Sequence, residues 1–188
     1  MQLFTKEKEY LPYVQAAGLK YGVPPALIFG HMKQESNNFD PFSYRAEPQI
    51  RDASMGLMQV LLGTARTMDK NATKEKLFDP AYNIDIGTRY IAKNMQRYPG
   101  DIPSAIAAYN AGTAFKDANG RYVSGNGKID VQGYVDKVYN NMLTYESWLQ
   151  DGGEASVQFS YWDLVIPLAI AGVVFYFVWN RNKNKAVE

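Results

Sequence analysis

Glu35 is the carboxylate with the most chemical promise in this chain of 188 residues. It closes a segment, Pro25 to Ser36, in which Leu27, Ile28, His31 and Met32 recur with it three and four apart. That spacing puts all five on one face of a helix. A carboxyl group at the edge of an apolar face loses hydration, which disfavours its charged form. A rise in pKa from about 4.3 to about 6 is typical of a glycosidase general acid. Position alone is equally that of a surface glutamate in a helix's last turns. Composition narrows the competing chemistries. The chain has no cysteine and one histidine, His31. A zinc site built from Cys and His is thereby excluded, and a Ser-His-Asp triad would need His31. Ser36 has no His or Lys base beside it in sequence and reads as a local brace rather than a nucleophile. Neither a metal nor a cofactor is expected.

Three segments downstream add to Glu35-Ser36: Gly56-Leu57-Met58-Gln59, Ala108-Tyr109-Asn110-Ala111-Gly112, and Tyr134-Val135-Asp136-Lys137-Val138. Between the first two of these lies a spacer carrying Asp79-Pro80, Asn83-Ile84, Gly87 and Tyr90. Each motif is short and weak alone. The ordered set resembles the lysozyme-like lytic transglycosylases of the soluble-lytic-transglycosylase type, over about residues 22–148.

The resemblance implies a mainly α, lysozyme-like domain acting on the glycan strands of peptidoglycan. Glu35 would protonate the oxygen linking N-acetylmuramic acid to N-acetylglucosamine. It would then act as base on the muramic acid C6 hydroxyl, giving a 1,6-anhydro product. Ordinary glycosidases need two carboxylates. Here the substrate's acetamide and hydroxyl would stand in for the second carboxylate and for water, so one carboxyl group suffices. Met58 and Gln59 would line the cleft, Gln59 offering both a donor and an acceptor. Tyr109 and Asn110 would bind sugar, by ring contact and hydrogen bonding respectively. Tyr134 would aim its hydroxyl at Glu35. Without the motifs, core packing would be the ordinary role for any of 14 tyrosines.

The chain also departs from the pattern. The stretch from Glu35 to Gly56 is several residues longer than usual, with an insertion around Ser43–Asp52. Either Ser43 or Ser54 would take the place of a serine that contacts the acetamide. The chain reads Val60-Leu61-Leu62-Gly63 where a proline often follows. Asp52 is the second carboxylate that a hydrolytic, goose-type lysozyme would need, though its offset matches poorly. His31 precedes Glu35 by one turn and is within reach of it, although a lone histidine is usually structural. A non-catalytic glycan-binding assembly protein is a further alternative, against which Glu35 and Gln59 both count.

The elements that must position these residues read mostly as helix. Helices are expected over about 6–20 (disturbed by Pro12), from Pro25 to Ser36, over about 54–67, from Asp79-Pro80 onward, over about 102–111 and over about 131–149. Ile84, Ile91, Met95 and Tyr98 form one apolar stripe, and Val135, Val138, Met142, Tyr145 and Leu149 another. Residues 38–53 and 112–130 read as loops, with room for a small hairpin near 42–53 or 115–130.

Beyond the domain expected over 1–149, residues 150–160 read as a polar linker. Residues 161–180 read as one transmembrane helix and 181–188 as a basic, cytoplasmic-type tail. Leu164 to Trp179 contains no charge or amide, and with its flank nears the roughly 20 residues a span requires. Tyr161, Trp162, Tyr176 and Trp179 mark its ends in the manner of aromatic belts, and Arg181, Lys183 and Lys185 follow. The first nine residues lack the apolar core of a secretory signal. A formal net charge of +1 gives no reason to expect nucleic acid. The expected partners are therefore glycan strands and a lipid membrane. The expected location is a single-pass membrane protein with its domain on the wall side, in the internal membrane of a phage virion or the inner membrane of a bacterium.

Overall fold

Aspartates and prolines set where the helices begin. Helix α1 spans Thr5–Tyr21 and α2 Pro25–Ser36. Between them Gly22 takes a left-handed φ of 67° and returns its N–H to the Gly18 carbonyl, the usual way a helix is closed. Pro12 does not interrupt α1, contrary to the expected disturbance. It lies on the exposed face, where water can satisfy the carbonyl its ring leaves unbonded. Asp79 accepts from the Tyr82 N–H at the start of α5 (Pro80–Arg97), Asp101 from Ser104 at α6 (Ile102–Ala111), and Asp130 from Gly133 at α7 (Val131–Gln150). These caps fix three helices close to the expected boundaries.

The computed structural model describes residues 4–36, 39–127 and 129–151. The transmembrane helix and basic tail expected over 161–188 lie outside the described residues. No helix among the described residues is long and apolar enough to cross a membrane. The described part is mainly helical. Helix α2 sits at its centre, with Ala26 through Met32 all buried, as befits a helix that is apolar on every side. Its most extensive partner is α7, while α1 packs on α5, and α6 joins α5 to α7. Gly30 lets α2 and α7 approach closely. A Cβ there would stand 2.9 Å from the Val138 carbonyl oxygen and 3.2 Å from the Met142 nitrogen. One end of this pair is closed by Phe29, Tyr145, Trp148 and Phe4, with Phe29 and Tyr145 rings 5.2 Å apart.

The helix expected over 54–67 is not what forms. Strands β1 (Tyr44–Glu47), β2 (Asp52–Met55) and β3 (Val60–Leu61) make a three-stranded antiparallel sheet in that order. Tyr44 lies opposite Met55, and Met55 opposite Val60. Only Leu62–Met68, helix α3, is helical. Gly56 and Gln59 have φ of 74° and 44°, whereas an α-helix needs about −63°. The short α4, Lys74–Leu77, was not expected. A second sheet, the two-stranded hairpin of β4 (Phe115–Lys116) with β5 (Tyr122–Val123), falls within the expected 112–130 loop, where a small hairpin had room.

Gly30→Ala is expected to lower stability by about 1–3 kcal/mol, the usual cost of forcing a methyl group into a packed contact. Thermal melts followed by circular dichroism measure it. An unchanged midpoint would show that α2 and α7 do not depend on close approach at this point.

Candidate active site

Glu35 stands in the last turn of α2, half-buried. The Tyr134 hydroxyl, from the first turn of α7, donates to its Oε1 at 2.6 Å. Two groups 99 residues apart in sequence thus meet across the α2–α7 contact. Burial pushes the Glu35 carboxyl from its usual 4.5 to about 7. The Tyr134 hydrogen bond and the charge of Arg45 favour the anion, but desolvation outweighs them. Among the described residues no second carboxylate contributes to the field on Glu35. Such a carboxyl group is partly protonated at neutral pH and can both give and take a proton.

Tyr109, near the end of α6, is half-buried beside it. Its ring lies 4.4 Å from that of His31 and 5.2 Å from that of Tyr90, and its hydroxyl donates to the Met58 carbonyl at 2.8 Å. Burial and the nearby Glu35 carboxylate hold the Tyr109 and Tyr134 hydroxyls well above their ordinary pKa, so both remain neutral donors. His31 is fully buried, which pushes its pKa down to about 3 and keeps it uncharged. Its Nδ1 lies 3.0 Å from the Tyr134 hydroxyl oxygen. His31, within reach of Glu35 by its spacing, is linked to it by hydrogen bonds through Tyr134.

The Gly56–Gln59 turn is pinned from α5. Asn83 accepts from the Met58 N–H at 2.9 Å and donates to the carbonyls of Met55 and Leu77. Gly56 must be glycine twice over. Its φ is positive, and a side chain there would overlap the Asn83 amide. Met58 differs from expectation. Its side chain is fully buried and fills the space left by Gly87, where a Cβ would collide with its sulfur. It offers a ligand no surface and acts instead by anchoring the turn to α5. Gln59 is buried, and its Nε2 donates to the carbonyls of Ser43 and Gly56, both at 3.1 Å. Both amide hydrogens are thereby used, leaving Gln59 only as an acceptor. Asn110 is half-buried, and its Oδ1 has no hydrogen-bond partner.

The Ser54 hydroxyl is buried and turned toward Glu47, whereas Ser43 lies on the turn beside Gln59. Asp52 takes the Ala53 N–H on one oxygen and the Gly63 N–H on the other, at 2.7 and 2.8 Å. It thus caps α3, whose own N-cap position, Leu61, has no side chain able to do so. Sequence reasoning missed Asn83, although it stands inside the quoted spacer. It also missed Arg45, which gave no signal because it lies in the inserted hairpin. Arg45 is held by Glu47 at 2.6 Å, and its charge is felt at Glu35 and Tyr134.

The family model described as the Transglycosylase SLT domain matches residues 12–132. The match takes in Glu35, Met58, Gln59, Tyr109 and Asn110 and stops two residues short of Tyr134. Among solved structures the chain is similar to the lytic transglycosylase Slt from Pseudomonas aeruginosa, solved as an inactive glutamate-to-glutamine mutant. The identity is 22% and the TM-score 0.60, covering 75% of this chain and 24% of that one. The likeness shows a shared fold over about a quarter of that protein's length.

A carboxyl group whose pKa is higher in the folded than in the unfolded chain destabilises the fold as pH rises between the two values. For Glu35 that window runs from 4.5 to about 7. At about 1.4 kcal/mol per pH unit it amounts to about 3 kcal/mol. Glu35→Gln keeps an acceptor for Tyr134 without the charge. It is expected to exceed the parent in stability by about 3 kcal/mol at pH 8, and to match it near pH 4. Urea denaturation at the two pH values checks this. A gap that does not change with pH would show that the carboxyl is not desolvated.

Proposed function

Since the chain belongs to the transglycosylase SLT domain family, we propose that it is a peptidoglycan lytic transglycosylase. It would cleave the bond between N-acetylmuramic acid and N-acetylglucosamine, with Glu35 as its single acid and base. The observation that carries this reading is the Glu35 carboxyl, desolvated to a pKa of about 7 and held by Tyr134. In the first half of the reaction Glu35 gives its proton to the glycosidic oxygen as the bond to C1 breaks. In the second, the C6 hydroxyl of the same muramic acid attacks C1 and returns its proton to Glu35. No water is consumed, and the enzyme ends as it began.

The engagement of both Asp52 oxygens by backbone N–H groups supports this route over hydrolysis. The N-acetyl groups of the substrate offer amide N–H donors. Gln59, with its own hydrogens committed, suits such donors or sugar hydroxyls, whereas the Asn110 Oδ1 is itself buried. Ser43 and the exposed edge of Tyr109 would border the same sugar.

The apolar run Leu164–Trp179, with its aromatic ends and basic tail, supports a tethered enzyme. We propose the internal membrane of a phage particle as its site, with the wall opened locally as the phage penetrates, and the inner membrane of a bacterium as the alternative.

Products, rates, pH dependence and location each test these readings. Mass spectrometry of sacculi digested with the full chain is expected to show 1,6-anhydro ends. Glu35→Gln is expected to lose roughly 10²–10⁴-fold or more in rate. The parent's kcat/KM is expected to fall as pH rises through about 7, because the free enzyme must begin with Glu35 protonated. Reducing ends in place of anhydro ends would establish hydrolysis instead, and an active Glu35→Gln would remove the assigned acid. For location, the protein is expected in purified phage particles and released from them by detergent. Its recovery only in host membranes would overturn the viral placement.

A further inference from the structure

His31 is fully buried, and its Nδ1 shares the Tyr134 hydroxyl with Glu35. A phenol carries one proton, and here that proton is donated to Glu35 Oε1. The second hydrogen bond at the same oxygen must then come from the imidazole, so Nδ1 carries the ring hydrogen. A neutral ring has only one such hydrogen, which leaves Nε2 bare. Nε2 is indeed buried with no partner among the described residues. The opposite tautomer would bury an N–H donor there without an acceptor. It would also present Nδ1 as an acceptor competing with Glu35 for the tyrosine's proton. The Tyr109 ring, 4.4 Å away, packs against the imidazole.

We propose that His31 is a positioning residue: by donating Nδ1–H to the Tyr134 hydroxyl oxygen, it turns the Tyr134 proton onto Glu35 Oε1. This rests on the reading of Glu35 as acid and base. With Oε1 held as an acceptor, the transferable proton of Glu35 can sit only on Oε2. The oxygen that delivers the proton to substrate and later recovers it is thereby fixed. Among the described residues, the polar and charged groups that act on the carboxyl or on its Tyr134 partner come from four elements: His31 from α2, Tyr134 from α7, Tyr109 from α6 and Arg45 from β1. His31 acts on it only through Tyr134.

Because His31 is the only histidine in the chain, its two ring nitrogens can be observed by ¹⁵N NMR in the full chain without assignment. The expected spectrum is that of a neutral Nδ1–H tautomer, and its shifts follow the titration of Glu35. An Nε2–H tautomer, or shifts indifferent to that titration, would overturn the proposal. This readout does not require glycan cleavage, so its failure is distinct from failure of the proposed activity. Kinetics on a soluble glycan oligomer provide a second test. His31→Leu is expected to lower kcat roughly tenfold, about the worth of one hydrogen bond, with KM unchanged and the alkaline limb moved to higher pH. His31→Asn, whose amide nitrogen can occupy the Nδ1 position, is expected to recover most of the loss. In a Tyr134→Phe background, His31→Leu is expected to cost nothing further. An equal loss in both backgrounds would mean that His31 contributes packing alone.

Discussion

The desolvation of the Glu35 carboxyl is the condition on which the rest of the site depends. A carboxylate in water would remain ionised at neutral pH and have no proton to give. Here helices α2, α6 and α7 close around it, and burial outweighs both the Tyr134 hydrogen bond and the Arg45 charge. The arrangement needs α2 and α7 to lie close enough for a 2.6 Å hydrogen bond between them. Gly30, one turn and a residue before Glu35, permits that approach by leaving room for the backbone of α7. The raised pKa of Glu35 is thus supported by a packing choice more than a turn away from it. The fold bears the cost as a loss of stability above pH 4.5.

The motifs gain a different meaning once their contacts are known. Much of what looked like ligand-binding sequence is framework. Gly56 and Asn83 are matched in shape, and Met58 and Gly87 are matched in volume. The Met58 carbonyl then holds the Tyr109 hydroxyl, and Tyr109 packs against His31. A chain of contacts therefore runs from α5, through the turn, to the ring beside the acid. Interiors are packed densely enough to transmit such constraints. The groups we propose to meet a substrate are few: one oxygen of Glu35, the Gln59 carbonyl oxygen and the partly exposed ring of Tyr109.

The inserted hairpin brings charge to a site otherwise built from neutral groups. Arg45 and Glu47 are paired, with Gln49 and Ser54 bonding to the same carboxylate. The pairing restrains Arg45, whose charge favours the Glu35 anion and so works against the raised pKa. The other acidic residue of the hairpin, Asp52, has both oxygens engaged by backbone N–H groups.

What the sequence determined by itself was local. Proline and aspartate fixed the starts of α5, α6 and α7, because capping involves residues within one turn of each other. The apolar periodicity of Pro25–Ser36 marked a buried helix, and the ordered motifs marked Glu35 and Tyr134. Tertiary structure alone decided the rest. Residues 54–61 read as helix by composition, yet they form strands around a turn with two left-handed residues, Gly56 and Gln59, held at Met55 and Met58 by Asn83, more than twenty positions away. Met58 looked like a cleft residue and became core because Gly87 left a space only that side chain fills. His31 carried no sign that its partner would be a hydroxyl 103 residues distant. Periodicity shows which face of a helix avoids water. It does not show which atoms meet on that face, because that depends on how closely two helix backbones approach once both are packed.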